Sequence, residues 1–258
     1  MIKKKENKLT TTKTISPFKD IKLFKKEITD FLNKYKSTVG KHANRISDYF
    51  EMSCYNFIVK FYENNDYDIS VQNLKSKKYY YKCSPAGLQS NYSFFKVSKK
   101  TGIKTYEFEI QHNLAAQSSF NKDIFTNPDI TVIKTGSAKT STTYYEINRR
   151  FSYVENKDVI TFFEVKNFNP YPELVFNFIG IVNELKKEIL ANKSPSKKPL
   201  HLAPCLMVSG KPNRQTQRIK DSLEERYCIN IIYDLFDSGV SIFSKRRQSE
   251  LKTTGKIK

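Results

Sequence analysis

Two short stretches hold the residues best suited to chemistry: Pro128-Asp129-Ile130-Thr131-Val132-Ile133 and Val159-Ile160-Thr161-Phe162-Phe163-Glu164-Val165-Lys166. Both are β-branched and aromatic runs of strand length, and both carry charge where a buried strand has none. Side chains alternate across a strand, so Glu164 and Lys166 share one face while Phe163 and Val165 take the other. Charge in a sheet interior is costly unless it is paired or bound to a metal. Two carboxylates and a lysine converging from adjacent strands suit a Mg²⁺ and phosphate site, with hard oxygens for the ion and an ammonium for the anion.

The pattern Glu-x-Lys alone says little, because it starts at Glu6, Glu155, Glu164, Glu184 and Glu250. Only the Glu164 copy ends an apolar strand-like run, and Pro-Asp occurs once in the chain. Together, Pro128-Asp129 and Glu164-Val165-Lys166 resemble the motif of the PD-(D/E)xK nuclease superfamily. The resemblance implies a restriction-endonuclease-like fold and metal-dependent cleavage of phosphodiester bonds. It further implies that Asp129 and Glu164 hold Mg²⁺, with Mn²⁺ able to substitute, that the Val165 carbonyl adds a ligand, and that Lys166 stands beside the attacking water. In this family a helix ahead of the sheet often adds one more acidic residue. Glu51 is the candidate here, with a solvated or capping glutamate as the alternative. The expected substrate is double-stranded DNA, cut in a restriction or defence system, by a homodimer or together with a partner subunit. One alternative is a non-catalytic nucleic-acid-binding protein that keeps the fold. Another is a structural ion pair inside an unrelated α/β domain.

The chain has 258 residues, enough for one substantial core. No run reaches the length of a membrane span, and the basic N-terminus lacks the apolar stretch of a signal peptide. Cys54, Cys83, Cys205 and Cys228 are widely spaced, which suits a reducing cytoplasm better than a disulfide framework or a zinc site. The net charge of +19 is concentrated at the ends, +8 over residues 1–41 and +5 over residues 244–258. Such ends read as basic arms able to follow a phosphate backbone, or as solubilising tails. The expected organisation is an arm with an accessory helix (1–41), a nuclease-like domain (42–243) and a basic tail (244–258).

The spacing predicts an accessory helix after Ser16-Pro17 and a second helix over 44–62, with Ile46, Phe50, Cys54, Phe57, Ile58 and Phe61 as its apolar stripe. Short aromatic runs at 67–71 and 78–82 read as strands or an irregular insertion. A hairpin follows over 93–111, its second strand alternating Tyr106, Phe108 and Ile110 inside with Glu107, Glu109 and Gln111 in water. The segments 112–127 and 135–157 read as loop and polar surface insertion around the two charged strands. A strong helix is expected from Pro172 to Leu190, a buried strand over 202–208, a helix over 213–226 and a strand over 228–233. The whole is an α/β fold with a mixed central sheet flanked by helices. Arg149 and Arg150, and Lys211, Arg214 and Arg218 near a helix start, are candidate nucleic-acid contacts; an ordinary basic helix face is the other reading of the second group. Gly136 to Ser141 lacks the spacing of a phosphate-binding P-loop. His42, His112 and His201 show no metal-ligand spacing and receive no role.

Overall fold

Alternating and fully apolar runs pair where the sequence places them, and the result is a seven-stranded mixed sheet between helices. The structure is a computed structural model. It describes residues 46–143, 148–191, 200–235 and 249–254, with Lys26, Thr29, Asp30 and Asn33, which are helical. The rest of the expected accessory helix and of both basic ends lies outside the described residues.

Helix α1 (Ile46–Asn64) precedes β1 (Asp68–Gln72), β2 (Phe94–Thr101) and β3 (Lys104–His112). β4 (Ala115–Gln117) and β5 (Phe125–Thr126) lead into β6 (Ile130–Lys134), and β7 (Lys139–Ser141) and β8 (Phe151–Val154) into β9 (Val159–Lys166). Helix α2 (Pro172–Leu190) then crosses over to β10 (His201–Leu202) and β11 (Cys205–Val208); α3 (Arg214–Arg226), β12 (Asn230–Ile232) and β13 (Thr253–Thr254) complete the order. The main sheet runs β1-β2-β3-β6-β9-β11-β12. Its pairs are antiparallel from β1 to β9 and parallel from β9 to β12.

One face packs on α1, whose Phe50, Cys54, Phe57, Ile58 and Phe61 meet Phe95, Val97, Ile110, Phe163 and Val165. The buried stripe is wider than the spacing predicts, since Met52, Tyr55, Val59 and Tyr62 are buried too. The other face packs on α2 through Leu174, Phe178, Val182 and Leu185 against Phe162, Leu206 and Val208. Glu164 shares the α2 face with Phe162, while Val165 points toward α1, as strand alternation requires.

Three expectations need correction. The segments 112–127 and 135–157 are not loop and plain surface insertion: they form a second, four-stranded sheet in the order β5-β4-β8-β7. Residues 78–82, read as strand or irregular insertion, are the insertion, with only an isolated bridge at Lys78. Glu109 and Gln111 are buried, not solvated: Gln111 donates to Glu109, and Gln89 donates to Gln111 from a distant 3₁₀ turn. The C-terminal segment is no free tail throughout. β13 pairs with β10, and Lys252 bonds both Asn230 and the Tyr227 carbonyl.

The turn after β9 is locked to the turn after β11. Ser209 donates to Asn167, the Gly210 N–H to the Phe168 carbonyl, and the Lys211 N–H to Asn169. A Cβ on Gly210 would lie 2.3 Å from Asn169 Oδ1 and 2.6 Å from Asn169 Cα. Backbone atoms cannot step aside cheaply, so Gly210→Ala should cost about 1–3 kcal/mol, read as a lowered denaturation midpoint. An unchanged midpoint would mean the two turns are not held together as described.

Candidate active site

Asp129 sits one residue before β6. The β6–β9 ladder pairs Ile130 with Phe163, so carrying its register one step further sets Asp129 opposite Glu164. The Asp129 carbonyl accepts the Asn113 N–H at 3.0 Å, which fixes its backbone to the end of β3. Its carboxylate Oδ2 accepts the Val165 N–H at 2.6 Å and Lys166 Nζ at 2.9 Å. Lys166 Nζ is also 2.9 Å from Glu164 Oε2, so one ammonium bridges the two carboxylates. In an antiparallel pair a residue's N–H and C=O face the same neighbour, which puts the Val165 carbonyl on Asp129's side of β9.

The three groups differ in exposure, and the difference sets their protonation. Glu164 is 5 % exposed. Burial and then the charge of Asp129 push its carboxyl up to about 7, outweighing the attraction of Lys166. For Lys166 burial acts to lower the value, but Glu164 and Asp129 more than offset it and hold the ammonium above the ordinary lysine range. One ammonium is thus shared between two carboxyl groups, of which the more buried, Glu164, holds its proton more tightly.

Glu51, in the second turn of α1, belongs to the same electrostatic group. Burial, followed by the charge of Asp129, lifts it to about 8, against the opposing pull of Lys166 and a hydrogen bond from Asn113. It also faces His112, with Oε2 3.5 Å from Nε2. Burial drives the His112 imidazole down to about 3, so the ring is neutral. Its Nδ1 lies against the Lys82 carbonyl and carries the proton, which leaves the Nε2 lone pair directed at Glu51 without a hydrogen-bond partner. Nothing local signals this contact: His112 and Glu51 are distant in the chain, and a lone histidine has no spacing to read.

Among the described residues no three His, Cys, Asp or Glu side chains close into a metal cage. The carboxyl oxygens of Asp129, Glu164 and Glu51 are hard donors, few in number, and would suit an open site that leaves much of an ion's shell to water, the mode Mg²⁺ favours. Among the basic candidates, Lys211 pairs with Asp234 at 3.4 Å, and Arg214 and Arg218 are exposed at the start of α3. That helix is capped by the Asn213 side chain on the Thr216 N–H. The parallel strands β9, β11 and β12 end on the edge where α2 and α3 begin, so these residues and Lys166 share one edge of the sheet. Arg149 and Arg150 lie on the second sheet, just before β8, and both are exposed. Phe168 and Tyr171, half-exposed and stacked at 5.9 Å between β9 and α2, join the same edge; in the sequence they read only as part of a turn. Among the described residues no helix is long and apolar enough to cross a membrane. No family model matches the chain, and neither a curated protein nor a solved structure matches it.

Proposed function

We propose that the protein is a Mg²⁺-dependent endonuclease of the PD-(D/E)xK type that hydrolyses phosphodiester bonds in double-stranded DNA. The reading rests above all on the bridge of Lys166 between Asp129 and Glu164 at the open edge of the sheet. The order of elements supports it: a helix, five successively antiparallel strands of the main sheet of which the last two carry the motif, then a helix crossing to a parallel strand. The net charge of +19 suits an anionic polymer. Asp129, Glu164 and the Val165 carbonyl would hold the ion, with Glu51 as a further carboxylate. A bound Mg²⁺ supplies a water of lowered pKa and neutralises charge at the phosphate.

The chain's own residues do the rest. The Val165 amide pins Asp129, Asp129 and Glu164 aim the Lys166 ammonium, and that ammonium meets negative charge building on the phosphoryl oxygens or orients the attacking water. Cleavage of foreign DNA in the cytoplasm, by a homodimer or with a partner subunit, is the role we assign to this activity. A labelled DNA duplex incubated with Mg²⁺ or with EDTA tests it: cutting that requires the metal is expected. Folded protein that binds the duplex equally well in both and never cuts it would make the chain a DNA-binding protein on a nuclease-like scaffold.

A further inference from the structure

A cleft of about 110 Å³ opens between the second sheet and the segment 85–87, lined by Ala86, Gly87, Ala115, Asn127, Arg149, Arg150 and Phe151. Among the described residues no carboxylate lines it. Its walls are fixed. Gly87 adopts φ +90°, and a Cβ there would meet the Tyr92 hydroxyl at 2.8 Å. Ser152, also in the lining, accepts the Gln89 N–H at 2.9 Å, and Gln89 in turn accepts from buried Lys82. Lys82 is 2 % exposed and donates to Gln89 Oε1 and to the Asn113 carbonyl, both uncharged oxygens. A third cation therefore stands behind the wall that presents two arginines.

The cleft is tied to the candidate active site through the chain. Asn127 lies two residues from Asp129 and Ala115 two from Asn113, and the Asn113 N–H bonds the Asp129 carbonyl. Two residues span at most about 7 Å. Phosphates of one strand recur about every 3.4 Å along the axis of duplex DNA, so the Asn127 side of the cleft is within about two phosphate steps of Asp129.

We propose that this cleft is a phosphate-binding subsite for the DNA strand being cut, with Arg149 and Arg150 holding a backbone phosphate that flanks the scissile one. The proposal rests on the nuclease reading for its substrate. Arginine suits the task because its planar fork can bond two phosphate oxygens at once. Phe151, stacked on Tyr153 at 5.4 Å, closes the apolar side of the cleft.

The test is fluorescence anisotropy with a labelled 20-base-pair DNA duplex in EDTA over a range of salt, on the full chain, its Arg149→Ala/Arg150→Ala variant and the matching Lys/Lys variant. Loss of one or two phosphate contacts should weaken binding about tenfold and make the slope of log affinity against log salt shallower by about 1–2. The Lys/Lys variant should restore the slope, which also shows that the substituted chain folds. An unchanged slope and affinity in the Ala/Ala variant would overturn the subsite. EDTA separates the two ideas. A changed slope in a protein that never cuts DNA would keep the subsite and sink the nuclease reading. Metal-dependent cutting with an unchanged slope would do the reverse, and absence of DNA binding would sink both.

Discussion

Lys166→Ala should lower the rate of DNA cleavage by at least about 10²–10³-fold while changing duplex affinity by less than about threefold. A preorganised donor aimed at developing charge is worth about that much in rate, and little in ground-state binding. Lys166 meets the geometric requirement, since two carboxylate contacts of 2.9 Å fix its ammonium at the sheet edge. Its held-up protonation means that the ammonium stays charged across the whole physiological range. Single-turnover cleavage of a labelled duplex, with binding measured in EDTA on the same preparation, separates the two quantities. Equal loss of cleavage and binding would show that Lys166 serves only to attract DNA.

Asp129→Asn should have the second large effect, and on stability its sign separates two accounts. In the wild type, Mg²⁺ at about one hundred times its dissociation constant should stabilise the fold by about 2.7 kcal/mol, raising the midpoint by about 5–10 °C. Asp129→Asn should abolish that shift, yet leave the metal-free protein as stable as the wild type or more so. The amide oxygen still accepts the Val165 N–H, and the repulsion that Asp129 exerts on Glu164 and Glu51 disappears. Were the cluster merely a structural ion pair, removing one buried charge should cost about 3–5 kcal/mol, with no response to metal in either protein. Glu164 and Glu51 both titrate above their ordinary range, at about 7 and about 8. For a carboxyl raised in the folded state, the stabilising protonated form is fully present below the unfolded value near 4.5 and is lost as pH climbs through the folded one. The metal-free protein should therefore weaken between about pH 4.5 and 8. The Mg²⁺ shift should grow over the upper part of that window, because the ion must displace those protons. Thermal melts with and without Mg²⁺ at pH 6, 7 and 8 read both trends.

The strands and helices that build the central cluster were legible because each is long enough to show a pattern. β9 is a near-continuous apolar run of eight residues, buried on both faces, that ends in Glu164-Val165-Lys166, and α2 repeats its apolar residues over nineteen. A charge at the end of such a run stands out against the pattern. The second sheet was not legible, because β4, β5, β7 and β8 are two to four residues long, below the length at which alternation means anything. Glu109 and Gln111 misled for a different reason. Polar alternation on β3 signals water only if nothing covers that face, and Gln89, far off in sequence, supplies a hydrogen-bond partner there. The Glu51–His112 contact and the return of Thr253–Thr254 to His201–Leu202 are tertiary events with no local signature.

We propose that the Asp129, Glu164 and Lys166 cluster cuts DNA with a divalent metal. The most direct measurement is the conversion of supercoiled plasmid by purified protein in Mg²⁺, in Mn²⁺ and in EDTA, with folded Lys166→Ala alongside. Nicked or linear plasmid is expected in Mg²⁺ and Mn²⁺, none in EDTA, and none from Lys166→Ala. Intact plasmid from folded wild type in every metal, or cutting that Lys166→Ala retains in full, would contradict the proposal.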